Sequence, residues 1–147
     1  MNDKFNLKRF LRVQEDTYQH ALGEIQNGKK LTHWMWFIFP QIIGLEHSEM
    51  SKFYGIKNLE EAASYLEHPI LGSRLIEITN ALLNLNEKRI SDIFDQPDDL
   101  KLKSCMTLFS VVDKNENSPF KMVLKRYFFD DKDVRTLQLL SKINKPG

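Results

Sequence analysis

Cysteine is almost absent: Cys105 is the single one in 147 residues, so no intramolecular disulfide can form and a multi-thiolate zinc centre is excluded. No apolar run approaches the roughly 20 residues that a spanning helix needs, which argues against a membrane protein. The opening stretch MNDKFNLKRF lacks the apolar segment of an export signal, and a cytoplasmic location is the expectation. Neither sign of charge dominates, since 21 basic and 20 acidic residues leave a net charge of +1. Without a global field to collect nucleic acid or anionic lipid, nucleic-acid binding is disfavoured and any anion site must be local. The four histidines have no partner at helical spacing, and there is no HExxH, no Gly-rich phosphate loop and no G-x-S-x-G elbow. Neither a metal nor a resident cofactor is expected. Six Gly and five Pro are scattered as punctuation, with no linker or repeat, so residues 1–147 read as one domain.

What is present is helical periodicity. From Asn6, a candidate N-cap, apolar residues at Leu7, Phe10, Leu11, Tyr18, Ala21, Leu22 and Ile25 form one stripe, which Asn27-Gly28 should end. Gln14 falls on that stripe between Leu11 and Tyr18, placing an amide and a phenol on the inward face. Thr32 can cap a short helix through the aromatic run, and Pro40 terminates it. Residues 41–57 show neither alternation nor a stripe and read as an ordered loop. Asn58, with Glu61 three residues on, opens a helix that ends near His68, ahead of Pro69. The next helix repeats Leu71, Leu75, Ile78, Leu82 and Leu85 at three or four. After a short ISDIF piece, Asp95 can cap a helix entered at Pro97, with Leu102, Cys105, Met106, Phe109 and Val112 on one face and Lys103, Thr107 and Ser110 on another. Two last helices, from Pro119 and from Asp133, complete an all-α fold, mainly α, expected as a compact orthogonal domain of six to seven helices.

The densest feature is HWMWFIFPQ, His33 to Gln41. On a short helix His33, Trp36, Phe37 and Pro40 share one side while Trp34, Ile38 and Gln41 share the other, so both sides cannot face water. Together with GKKLTHWMWFIFPQIIGLEHS, the strings EAASYLEHPILGSRL and DLKLKSCMTLF resemble an uncharacterised bacterial domain-of-unknown-function family, sometimes mislabelled calpastatin. The resemblance covers Phe10 to Leu140 and implies a mainly α-helical fold. It also implies Gly at the position of Glu46 and Ser at that of Cys105, which argues against Cys105 as a nucleophile. A weaker similarity of layout links the chain to small helical domains that process ADP-ribose and related riboside phosphates, and implies no catalytic residue.

The polar groups beside this apolar surface are the candidate site. Trp34 or Trp36 can stack a planar ligand, with His33 and Gln41 giving directional hydrogen bonds. Lys30, Arg74 and Lys103 can hold phosphate, and His68 and Thr107 lie close to them in sequence. Each has a plain structural alternative: core aromatics, solvated lysines, and an Arg74 ion pair with Glu77 or Asp99. Gly72 inside a helix costs about 1 kcal/mol relative to Ala, which close packing against another backbone or a ligand would explain. The expected function is binding of a nucleotide or ADP-ribose-like small molecule, with hydrolysis or N-glycosidic processing as the chemistry. A protein-interaction or adaptor module is the alternative, favoured by exposed apolar residues in helical array.

Overall fold

The computed structural model describes residues 3–86 and 88–143. Among them are nine helices: α1 Lys8–Gln26, α2 Met35–Ile38, α3 Glu49–Tyr54, α4 Leu59–Glu67, α5 Leu71–Leu83, α6 Ile90–Ile93, α7 Asp98–Val112, α8 Pro119–Phe128 and α9 Val134–Ile143. Six are nine residues or longer, and three short ones of four to six residues take the total beyond the expected six to seven. No strand forms among the described residues, only an isolated parallel bridge between Ile42 and Ile56. No described helix is long and apolar enough to cross a membrane.

The caps explain most boundaries. Asn58 accepts from the Glu61 amide and Ser118 from the Lys121 amide, and α1 ends at Asn27 with Gly28 at φ +85°. The α1 start differs from expectation: Asn6 is at φ +54°, and Asp3 satisfies the Leu7 and Lys8 amides instead. Thr32 does not cap α2 either, because Trp34 holds the cap position and the Thr32 hydroxyl donates to Glu24. Residues 41–57 are more ordered than a loop. Ser48 caps α3, and the Ile42–Ile56 bridge closes the segment on itself.

One core runs through the molecule. Phe10 meets Tyr65 edge-on at 5.0 Å, and Tyr65, Phe109 and Phe120 continue the chain at 5.7 Å steps, joining α1, α4, α7 and α8. Helix α7 is buried on all sides from Ser104 to Ser110, not on one face as expected, so Thr107 and Ser110 lie inside with Cys105 and Phe109. Their hydroxyls donate back to the Lys103 and Thr107 carbonyls, which removes the cost of burying them. Gly72 is explained by packing: a Cβ there would lie 1.9 Å from the Leu66 carbonyl oxygen, so α4 and α5 approach at backbone distance.

Two buried polar groups tie distant segments together. Arg9 forms an ion pair with Glu61 at 2.7 Å and also donates to the carbonyls of Phe5, Asn6, Phe53 and Gly55. Gln14 donates to the Phe37 carbonyl and the Tyr65 hydroxyl, and its own oxygen accepts from Arg74. The inward amide read from the sequence therefore fastens α1 to the aromatic segment.

Candidate functional site

The aromatic run divides into core and cleft. Trp34 is 1% exposed, clustered with Phe39 and Phe94, and its indole donates to Glu24 Oε1 at 2.9 Å. Its faces are occupied by the core and leave no room for a stacked ligand. Glu24 is the hub of this corner, accepting also from the Leu31 amide and from the amide and hydroxyl of Thr32, with His20 Nε2 2.8 Å away. Burial alone pushes this carboxyl up; the four hydrogen bonds outweigh it and hold the pKa at about 2. Sequence reasoning missed Glu24, which carries no local motif.

The other anticipated residues separate. Lys30 sits 2.9 Å from Asp98, donates to the Thr32 carbonyl and lies 5.1 Å from the Trp34 ring centre, a structural position in the same corner. His33 is exposed. His68 Nδ1 accepts from the Ile70 and Leu71 amides just ahead of and at the start of α5. Arg74 binds Gln14 and lies over the Tyr18 ring, replacing the anticipated Glu77 or Asp99 pair; Glu77 instead accepts from the Tyr18 hydroxyl. Lys103 pairs with Asp131 at 2.8 Å, and the Thr107 hydroxyl accepts from the Asp133 amide. Of the nine anticipated residues, only Trp36 and Gln41 line one and the same cleft.

That cleft lies between α2, the 41–47 turn, α3 and the start of α7. Its inner part is a narrow crevice with a cavity volume of about 10 Å³, lined by Trp36, Gln41, Glu46 and Tyr54 among others. Gln41 and Glu46 continue into an outer part that reaches Lys101, Ser104, Asp133 and Arg135. Lys101 Nζ stands 4.6 Å from the Trp36 ring centre, 3.7 Å from Glu46 and 3.8 Å from Asp98. Trp36 Nε1 is buried and has no protein acceptor, the one such side-chain atom among the described residues. Burial pushes the Tyr54 phenol up, so it stays protonated near neutral pH. Asp133 is engaged, accepting from Ser104 and from both the amide and hydroxyl of Thr136. Glu46, Lys101 and Arg135 were not among the anticipated site residues. The sequence signals for Glu46 were the irregular stretch around Gly44 that interrupts the helical pattern and its place where the resemblance implies Gly.

Among the described residues no group of His, Cys, Asp and Glu could hold a metal ion. Fold and cleft together define a helical domain with a donor-rich pocket on one edge of an aromatic core. A family model described as "Protein of unknown function (DUF1810)" matches residues 4–140, and the chain belongs to that family. The crystal structure of the conserved hypothetical protein Rv1873 from Mycobacterium tuberculosis is similar throughout, with a TM-score of 0.92 and 44% identity over 95% of this chain and 99% of that one. No curated protein matches the sequence.

Proposed function

We propose that this domain binds a small molecule of the nucleotide or ADP-ribose class in the Trp36 cleft. The observation that carries the reading is the Trp36 indole N–H, buried without a protein acceptor on a cleft lined by Gln41 and Glu46. Buried polar groups are ordinarily hydrogen-bonded, and an orphaned one beside an opening is an invitation to a ligand acceptor. Gln41 supplies a donor and an acceptor, Tyr54 a protonated phenol, and the Lys101 ammonium a positive charge over the indole face. This mixture of directional groups and one cation suits a polar, partly anionic molecule better than an apolar one.

The test is a thermal-shift series with ADP-ribose, NAD, nucleotides and sugar phosphates on the wild type, Trp36→Phe and Gln41→Ala. A ligand at 100 times its Kd adds about 2.7 kcal/mol of stability, a readable shift for a domain of this size. Both variants should lose most of that shift, and the bound compound is then assayed for N-glycosidic hydrolysis by product chromatography. If no compound shifts the wild type, the small-molecule reading is lost and the adaptor reading takes its place.

A further inference from the structure

We infer that the part of the ligand seated beside Trp36 is an oxyanion, a phosphate or a carboxylate, which replaces the Glu46 carboxylate as the partner of the Lys101 ammonium. This rests on the small-molecule reading above and specifies the chemistry the cleft selects.

The argument starts from the Lys101 side chain, which is only 13% exposed. An ammonium has three donors, and those of Lys101 fill none of them at hydrogen-bond distance: Glu46 lies at 3.7 Å and Asp98 at 3.8 Å. Asp98 is already committed to Lys30 at 2.9 Å, so its remaining pull on Lys101 is weak. Glu46 is 40% exposed and lies two residues after Gly44, whose φ of +103° makes a turn there. Its carboxylate is therefore the partner able to leave. Trp36, which lines the inner part of the cleft, carries a buried Nε1 donor with no protein acceptor, and Arg135 reaches the rim with one long bond, 3.4 Å, to the Gly44 carbonyl.

The unmet groups are thus donors, two of them cationic. A neutral hydroxyl or amide could satisfy the indole but would leave the ammonium short of acceptors. An oxyanion, negatively charged and with several acceptor oxygens, meets both and compensates for the departing Glu46 charge. Glu46 then acts as an internal competitor: it neutralises Lys101 in the free protein and opposes anion entry.

Two tryptophans make the test direct, because the indole N–H signals of the full chain in a ¹⁵N-correlated NMR spectrum belong to Trp34 and Trp36 alone. Inorganic phosphate, acetate and adenosine are titrated separately, with Trp36→Phe assigning the signals. Phosphate should move the Trp36 signal saturably while the Trp34 signal, bonded to Glu24, stays in place. Glu46→Gln should tighten phosphate about tenfold, the expected size for removing a like charge about 4 Å away. Lys101→Met should abolish the response, and Glu46→Gln, at an exposed turn, remains decisive if the lysine variant misfolds. Movement with acetate in place of phosphate also supports the oxyanion site and identifies a carboxylate ligand. If adenosine moves Trp36 and neither anion does, the cleft binds small molecules but the oxyanion inference is overturned. If phosphate moves Trp36 with equal affinity in Glu46→Gln, the inference is also overturned. If none of the three moves it, the inference falls and the small-molecule reading is left to the broader thermal series.

Discussion

The Glu24 corner makes a quantitative prediction about acid stability. A carboxyl held at about 2 in the folded chain, against an ordinary value of 4.5, favours folding by about 3 kcal/mol once the pH is above 4.5. Because the folded pKa is the lower one, this contribution is complete above 4.5, declines as the pH falls, and is gone below about 2. Glu24→Gln removes the charge while keeping the side chain's shape, so it should be less stable than wild type by about 3 kcal/mol at pH 6, with the gap closing toward pH 2. Urea unfolding followed by tryptophan fluorescence at intervals between pH 2 and pH 6 measures this gap. Carrying both proteins in a His20→Asn background removes the imidazole that lies 2.8 Å from Glu24, so the comparison isolates the carboxyl. A gap that stays constant with pH, or widens as the pH falls, would refute the account. The carboxylate would then not be held by charge-assisted hydrogen bonds from Leu31, Thr32 and Trp34.

Further outcomes follow from single contacts. Gly72→Ala gains about 1 kcal/mol of helix propensity but drives a methyl into the Leu66 carbonyl, so denaturant titration should show a net loss of about 2 kcal/mol. Arg9→Met should cost about 3–5 kcal/mol by stranding the Glu61 charge. Adding Glu61→Leu should recover only part of this, since the carbonyls of Phe5, Asn6, Phe53 and Gly55 still lack their donor; recovery to within about 1 kcal/mol of wild type would contradict that view. Trp34→Phe should lower stability by about 2 kcal/mol or more through the lost bond to a carboxylate. Trp36→Phe should stay within about 1 kcal/mol of wild type, because its N–H has no protein partner to lose, and equal losses in the two variants would undo the division into core and cleft.

How much of this could be read beforehand depends on the range of the interaction. The helical stripe of α1, the Asn58 cap, the stop before Pro69 and the Gln14 position are local patterns, and each is realised in the fold. Two of the misreadings come from a competing side chain and two from burial that residue type does not signal. Thr32 has the chemistry of a cap, but Glu24, eight residues earlier, takes its hydroxyl. Asn6 has it too, yet Asp3 is better placed for the α1 amides. Helix α3 was hidden because none of its residues is fully buried, so no apolar stripe marks it. Helix α7 looked amphipathic because its threonine and serines are polar by type, although backbone bonds let them be buried.

The candidate site was legible only in outline, because its contacts join residues far apart in sequence. A sequence shows that aromatic and basic residues are abundant around residues 29–41, but not which cation meets which ring. Lys30 and Lys101 are 71 positions apart and play parallel roles, each ammonium over one tryptophan and each beside Asp98. What separates them is satisfaction of donors: Lys30 has a close carboxylate and a carbonyl, whereas Lys101 has two distant carboxylates. The same contrast separates Trp34, bonded to Glu24, from Trp36, bonded to nothing in the chain. In both pairs the satisfied member belongs to the core and the unsatisfied member lies at the cleft. The candidate cleft is therefore marked by incomplete hydrogen bonding, a property of three-dimensional neighbours that residue type and spacing do not encode.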